Sequence, residues 1–131
     1  MEEQKQRLMS QVPKTAAGFS RDFKALKKDT SAQLAYLKRI PLPTLKSYFN
    51  KTEIESATIN EILRTLAKEI ASQEDTNWAH DFLVALSKSF KFDTTVMFFD
   101  DEENESVDQI VKKIAAVDSA KADEIKAAYT D

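Results

Sequence analysis

Few side chains in this sequence could take part in catalysis or hold a metal ion. His80 is the only histidine, and the chain has no cysteine. Catalytic and metal centres need such groups in combination, yet His80 has no second imidazole or thiolate as a metal partner and no Ser in a recognisable catalytic arrangement. We therefore expect His80 to be a packed or surface histidine.

Other known chemical motifs are also missing. The acidic run at residues 100–105 could suggest calcium, but an EF-hand loop counted from Asp100 places Glu105 where the sharp turn needs glycine. We predict a solvated loop there. Gly18 is the only glycine, which excludes the Walker and GxGxxG loops. No pair of carboxylates is isolated in apolar surroundings, so the sequence predicts no enzyme activity, no metal and no cofactor.

The composition is that of one small folded domain. The 131 residues are 42% apolar and 31% charged, which is typical of globular proteins. No apolar run approaches the roughly 20 residues that cross a bilayer, and residues 1–5 do not resemble a signal peptide. With no cysteine, we expect a location in the cytoplasm, with the nucleus also compatible, and no membrane association.

Charge is unevenly distributed along the chain. Residues 1–48 hold ten Lys/Arg against four Asp/Glu, whereas residues 51–131 hold nine against eighteen. The basic third could bind nucleic acid, because aromatic residues are interleaved with its cations. The isoelectric point of 5.3 and the core-like spacing of those aromatic residues argue against it.

Apolar residues recur at spacings of three and four along most of the chain, which predicts helices. We predict an all-α fold, a compact bundle of six to seven short helices at residues 12–131, preceded by a flexible tail at residues 1–11. Expected starts are Ser20 with Phe19 as a hydrophobic staple, residues 29–31, Pro43, Thr58, Asp75 or Thr76, and Ser106; the last helix covers about residues 120–129.

The segment at residues 90–99 is the most informative, because it carries more apolar residues than one buried stripe needs. Its β-branched and aromatic residues could form a strand, but no second strand is available to pair with it, so we predict a helix. One face then carries Phe92, Thr95, Val96 and Phe99. The other carries Lys91, Thr94 and Phe98, flanked by Met97 and Phe90. Either a further core helix or another protein could cover this second face.

Several short motifs, taken in order, resemble one known family. They are Val12-Pro13-Lys14, Asp22-Phe23 with Leu26-Lys27, Tyr36-Leu37-Lys38, and above all Leu86-Ser87 followed by Lys91-Phe92-Asp93-Thr94-Thr95-Val96-Met97-Phe98. Across roughly residues 12–129 the chain resembles the C-terminal domains of RNA polymerase II-associated protein 3 and of spaghetti-type co-chaperones.

This resemblance implies a compact, non-catalytic helical adaptor. Members dock on a RuvB-like AAA+ ATPase and link it to heat-shock protein 90 during assembly of large complexes. The family's pattern places a basic, an apolar and an aromatic contact residue on Lys91, Thr94 and Phe98, with Met97 beside them. Thr94 stands where the family has methionine, and its shorter side chain would bury less apolar area, which affects the affinity or the choice of ATPase paralogue.

Two other functions remain open from the sequence. The domain could be a scaffold for ciliary or dynein-arm assembly that self-associates or binds microtubule-linked partners through the same face. It could also bind nucleic acid through its basic third. The resemblance favours the ATPase adaptor, which we expect to be monomeric on its own.

Overall fold

The computed structural model describes residues 12–50 and 53–130, and these residues form eight α-helices and no strand. The helices are α1 (Ala16–Ala25), α2 (Thr30–Lys38), α3 (Leu42–Phe49), α4 (Ser56–Glu69), α5 (Gln73–Ser87), α6 (Phe92–Met97), α7 (Asp101–Ala115) and α8 (Ser119–Tyr129). The all-α prediction is confirmed. The predicted count of six to seven is slightly low. The tail predicted at residues 1–11 lies outside the described residues.

The first two helices begin at side-chain caps. The Thr15 hydroxyl accepts a hydrogen bond of 3.0 Å from the backbone N–H of Gly18, so α1 begins well before Ser20. The predicted cap at Ser20 is therefore wrong, and Phe19 is buried inside α1 instead of preceding it. The cap at Asp29 is confirmed, because its carboxylate accepts from the N–H of Ala32.

Two later starts were predicted a few residues too far along the chain. Helix α4 begins at Ser56, and Thr58 is buried within it and donates to the Ser20 hydroxyl. Helix α5 is capped by Ser72, whose hydroxyl accepts from the N–H of Asp75 at 3.0 Å. In both cases the polar residue that stands earlier in the chain starts the helix. Pro43 lies in the first turn of α3, as predicted.

The acidic run at residues 100–105 is not a loop but the start of α7. Asp100 accepts from the N–H of Glu103 at 2.9 Å, and the Glu103 carboxylate accepts from the N–H of Asp100 at 3.3 Å, which forms a capping box. Carboxylates also interact favourably with the positive end of the helix dipole. The predicted cap at Ser106 is wrong as well, because Ser106 is buried in the middle of α7.

Most of the other helices pack on α4, on α5 or on both. Helices α1, α2 and α7 pack on α4, and α3, α6, α7 and α8 pack on α5. One end of the core is an aromatic cluster in which the Phe19 ring lies 5.6–6.1 Å from four others, those of Phe23, Tyr36, Tyr48 and Phe49. These rings fix α1 against α2 and α3.

A buried glutamine joins three of these helices. Gln33 of α2 donates from Nε2 to the Phe23 carbonyl of α1 at 3.0 Å, and its Oε1 accepts from the Thr65 hydroxyl of α4 at 2.8 Å. Because both polar ends are paired, Gln33 is held in the core without an unsatisfied group. No helix in the described ranges is long and apolar enough to cross a membrane.

Candidate docking surface on α6

Helix α6 is fixed to the core by one apolar face. Phe92 and Val96 are buried, and the Phe92 ring meets the Tyr129 ring edge to face at 4.9 Å. Tyr129 is in turn anchored by a 2.6 Å hydrogen bond from its hydroxyl to the Leu83 carbonyl. Burial raises the pKa of Tyr129 well above its ordinary value, so this hydroxyl remains a donor. These contacts attach α6 to α5 and α8.

The chain enters α6 through a constrained turn. The Phe90 N–H donates to the Phe49 carbonyl at 2.9 Å, which ties the turn to the end of α3. Lys91 then adopts a left-handed conformation, with φ 59° and ψ 27°, which L-residues other than Asn and Asp rarely adopt. It is the only non-glycine residue with positive φ in the described part of the chain. Lys91 is thus held in a strained backbone position beside an exposed ring.

The second face of α6 is exposed. Phe98 is 78% accessible, Met97 62% and Phe90 44%, and both Lys91 and Thr94 are exposed. The Lys91 ammonium lies 5.3 Å from the centre of the Phe90 ring. We call these five residues the α6 surface. Among residues 12–50 and 53–130 no helix covers it, so the alternative of a further core helix does not apply to the described chain.

This surface is unusual within the molecule. Of the five large apolar side chains exposed in the described ranges, three belong to it, and the other two are valines. An exposed cluster of large apolar residues is typical of a protein-binding site, and Phe98, Met97 and the Lys91 cation can together supply apolar area and charge. The two-faced helix predicted from the sequence is therefore present.

A groove lies next to this surface, and the sequence alone could not predict it. It has a volume of about 390 Å³ and lies between the C-terminal ends of α3 and α5, with Phe49, Lys46, Lys88 and Ser89 among its lining residues. The hydrogen bond between Phe90 and Phe49 places it beside the α6 surface. Because its two sides are about 40 residues apart in the sequence, no local pattern could indicate it.

The remaining sequence candidates, His80 and the acidic run, have partners within the fold. His80 is a packed histidine with Nε2 2.6 Å from Glu124 and Nδ1 3.0 Å from Asp81, so it links α5 to α8. Within the described ranges, no three His, Cys, Asp or Glu residues lie close enough together to hold a metal ion. Burial is the main reason that the pKa of Glu103 is raised, and this carboxyl belongs to the α7 capping box.

An all-α bundle with an exposed apolar surface and no recognisable catalytic motif in the sequence has the form expected of a protein-interaction domain. The chain belongs to the RPAP3_C family, whose description is the potential Monad-binding region of RPAP3 and whose model matches residues 12–104. That range includes α1 to α6 and therefore the whole α6 surface. A binding domain of this family fits an adaptor role.

A solved structure has the same fold. The NMR structure of the C-terminal domain of the human RPAP3 protein superposes with a TM-score of 0.80 and covers 92% of this chain and 90% of its own, at 23% sequence identity. At this identity the similarity concerns the fold. No curated protein sequence matches the chain significantly.

Proposed function

We propose that this domain is a non-catalytic adaptor that docks on a RuvB-like AAA+ ATPase through the α6 surface and links it to a heat-shock protein 90 co-chaperone complex. The observation that carries the proposal is the exposure of Phe98 at the end of a helix whose opposite face is firmly packed. The resemblance of residues 91–98 to the family motif supports the choice of partner.

The surface offers enough apolar area for a binding hot spot. Burying an exposed Phe or Met side chain contributes about 1.5–3 kcal/mol each. Because α6 is fixed by Phe92 and Val96, docking does not have to order the helix first, and the conformational cost of binding is small. Thr94, placed between Lys91 and Phe98, adds little area, so most of the affinity is expected from Phe98 and Met97.

Monad is the second candidate partner. The family description names a potential Monad-binding region in RPAP3, and the matched residues include the whole α6 surface. A Monad-binding domain would need the same properties, an exposed apolar surface on a helix that packs on the core. The two partners are therefore distinguished by direct binding measurements and not by the geometry of the surface.

Biolayer interferometry tests the proposal with the domain immobilised and either purified RuvB-like ATPase hexamer or purified Monad in solution. We expect the ATPase to bind and Phe98→Ala to weaken it about thirtyfold, which corresponds to about 2 kcal/mol. Val117→Ala removes another exposed apolar side chain and serves as the matched control, with unchanged affinity expected.

Each of the following outcomes would contradict a different part of the proposal: the site, the partner or the function. Binding that Phe98→Ala leaves unchanged would remove the α6 surface as the site. Binding of Monad alone would replace the ATPase as the partner. Self-association without either protein, detected by size-exclusion chromatography with light scattering, would favour the ciliary scaffold instead.

A further inference from the structure

A second concave surface lies apart from the α6 surface, between α4 and the turn that joins α1 to α2. Lys27 and Lys28 line it from the turn, and Arg64 and Lys68 line it from α4, around a volume of about 580 Å³. The turn is held in place because the Thr30 hydroxyl donates to the Glu69 carboxylate at 2.7 Å. We call this surface the basic groove.

The cations of the basic groove are poorly neutralised. Among the described residues, Lys27, Lys28 and Lys68 form no ion pair, and Arg64 approaches Glu102 only to 4.0 Å, with both side chains about half exposed. Glu61 is the one carboxylate in the lining. The lining holds four positive charges against one negative charge, with Glu102 beside Arg64 and Glu69 beside Thr30 at its edge. This excess of cations favours an acidic ligand, although the net charge of the chain is −3.

The dimensions of the groove suit a short extended segment. Its α4 side runs from Ala57 to Lys68 along one helical face, and 11 residues of helix span about 16 Å. An extended peptide advances about 3.3 Å per residue, so about five residues fit. We propose that the basic groove binds a short, extended segment of another protein that is rich in aspartate and glutamate.

One feature favours a peptide over a nucleic acid. No aromatic residue lines the groove, so it offers no surface on which bases can stack. The carboxylates of an acidic peptide need no such surface and can pair directly with the lining cations.

NMR titration of the whole chain, labelled with ¹⁵N, tests this proposal with an acetylated hexaglutamate peptide as the probe. Hexalysine and the oligonucleotide dT6 are run in parallel. We expect hexaglutamate to shift amide signals of the α1–α2 turn and of α4, with weaker binding at higher salt. Neither hexalysine nor dT6 should produce the same shifts.

Charge reversal identifies the groove as the site. The double variant Arg64→Glu with Lys68→Glu should weaken hexaglutamate binding at least tenfold. The control double variant Lys112→Glu with Lys126→Glu changes the net charge equally at exposed positions of α7 and α8 and should bind as the wild type does. If the α4 variant unfolds, Lys27→Gln with Lys28→Gln replaces it, with at least a threefold loss expected.

Three results would overturn the proposal: no shift with hexaglutamate, shifts with dT6 of equal size at the same amides, or equal loss of binding in the control variant. The proposal is independent of the α6 surface. Phe98→Ala should therefore leave hexaglutamate binding unchanged, and the charge reversals should leave α6 docking unchanged.

Discussion

Helix α1 and the α6 surface both carry phenylalanine rings, yet these rings have opposite surroundings. Phe19 and Phe23 of α1 are completely buried among other rings, whereas Phe98 at the end of α6 is 78% exposed. Three helices surround the α1 rings, while α6 has only one face against the core. The comparison shows that aromatic residues stabilise one region and remain available to a partner in the other.

The largest effect is expected from removing the centre of the aromatic cluster. Phe19→Ala leaves a cavity among four rings and should lower the free energy of unfolding by about 3–5 kcal/mol. Urea denaturation followed by circular dichroism measures this change. A loss below 1 kcal/mol would mean that the cluster is not part of the core, and the contrast with the exposed Phe98 would not hold.

The next largest loss of stability is expected from breaking the buried hydrogen bonds of Gln33. Gln33→Leu leaves the Thr65 hydroxyl without its buried partner and removes one of the two hydrogen bonds to the Phe23 carbonyl, which keeps the one from the Leu26 N–H. The expected cost is about 1–3 kcal/mol. Adding Thr65→Val removes the unpaired hydroxyl. The double variant should therefore be less destabilised than the sum of the two single changes, and simple additivity would contradict the buried network.

Replacing Lys91 should change stability and docking affinity in opposite directions. Lys91→Gly relieves a left-handed backbone and should raise the free energy of unfolding by about 1 kcal/mol, while docking weakens because the cation is lost. Lys91→Ala is the control, because it removes the charge but keeps the backbone penalty. Thermal unfolding and interferometry on both variants check this prediction, and it is refuted if Lys91→Gly destabilises the domain.

The smallest effect concerns an ion pair at the edge of the core. A hydrogen bond from Lys38 is the main reason that the pKa of Asp75 is lowered, so this pair stabilises the domain when Asp75 is ionised. Its contribution is present above the unfolded-state pKa of about 3.9 and is lost as the pH falls through the lower folded-state pKa.

Substitution reveals this pH dependence. Asp75→Asn should cost about 0.5–1 kcal/mol at pH 7. The difference from the wild type should shrink as the pH falls below the unfolded-state pKa of about 3.9, as measured by urea denaturation at pH 7 and at a series of lower pH values. A difference that is independent of pH would show that the charge does not matter.

The two faces of α6 could be predicted from the sequence, but which of them is buried could not. The spacing of residues 91–98 placed Lys91, Thr94 and Phe98 on one face and Phe92 with Val96 on the other, and the structure has both faces. Which face is buried depends on contacts with Tyr129 and Phe49, which lie far away in the sequence. Periodicity identifies the faces of a helix and does not identify its neighbours.

Helix starts and grooves show the same limit. The acidic residues after Asp100 were predicted to form a loop because they are polar, but the capping box and the helix dipole make them a helix start. The basic groove combines Lys27 and Lys28 with Arg64 and Lys68, about 40 residues later. A pattern along the chain cannot indicate such a pairing before the fold is known.

The most direct test measures two quantities for Phe98→Ala in the same preparation: the free energy of unfolding of the free domain and the Kd for the RuvB-like ATPase hexamer. The exposed position of Phe98 predicts a change in stability below about 0.5 kcal/mol together with an affinity about thirtyfold weaker. A loss of stability of 2 kcal/mol or more with unchanged affinity would contradict it, because Phe98 would then be a core residue and not a docking residue.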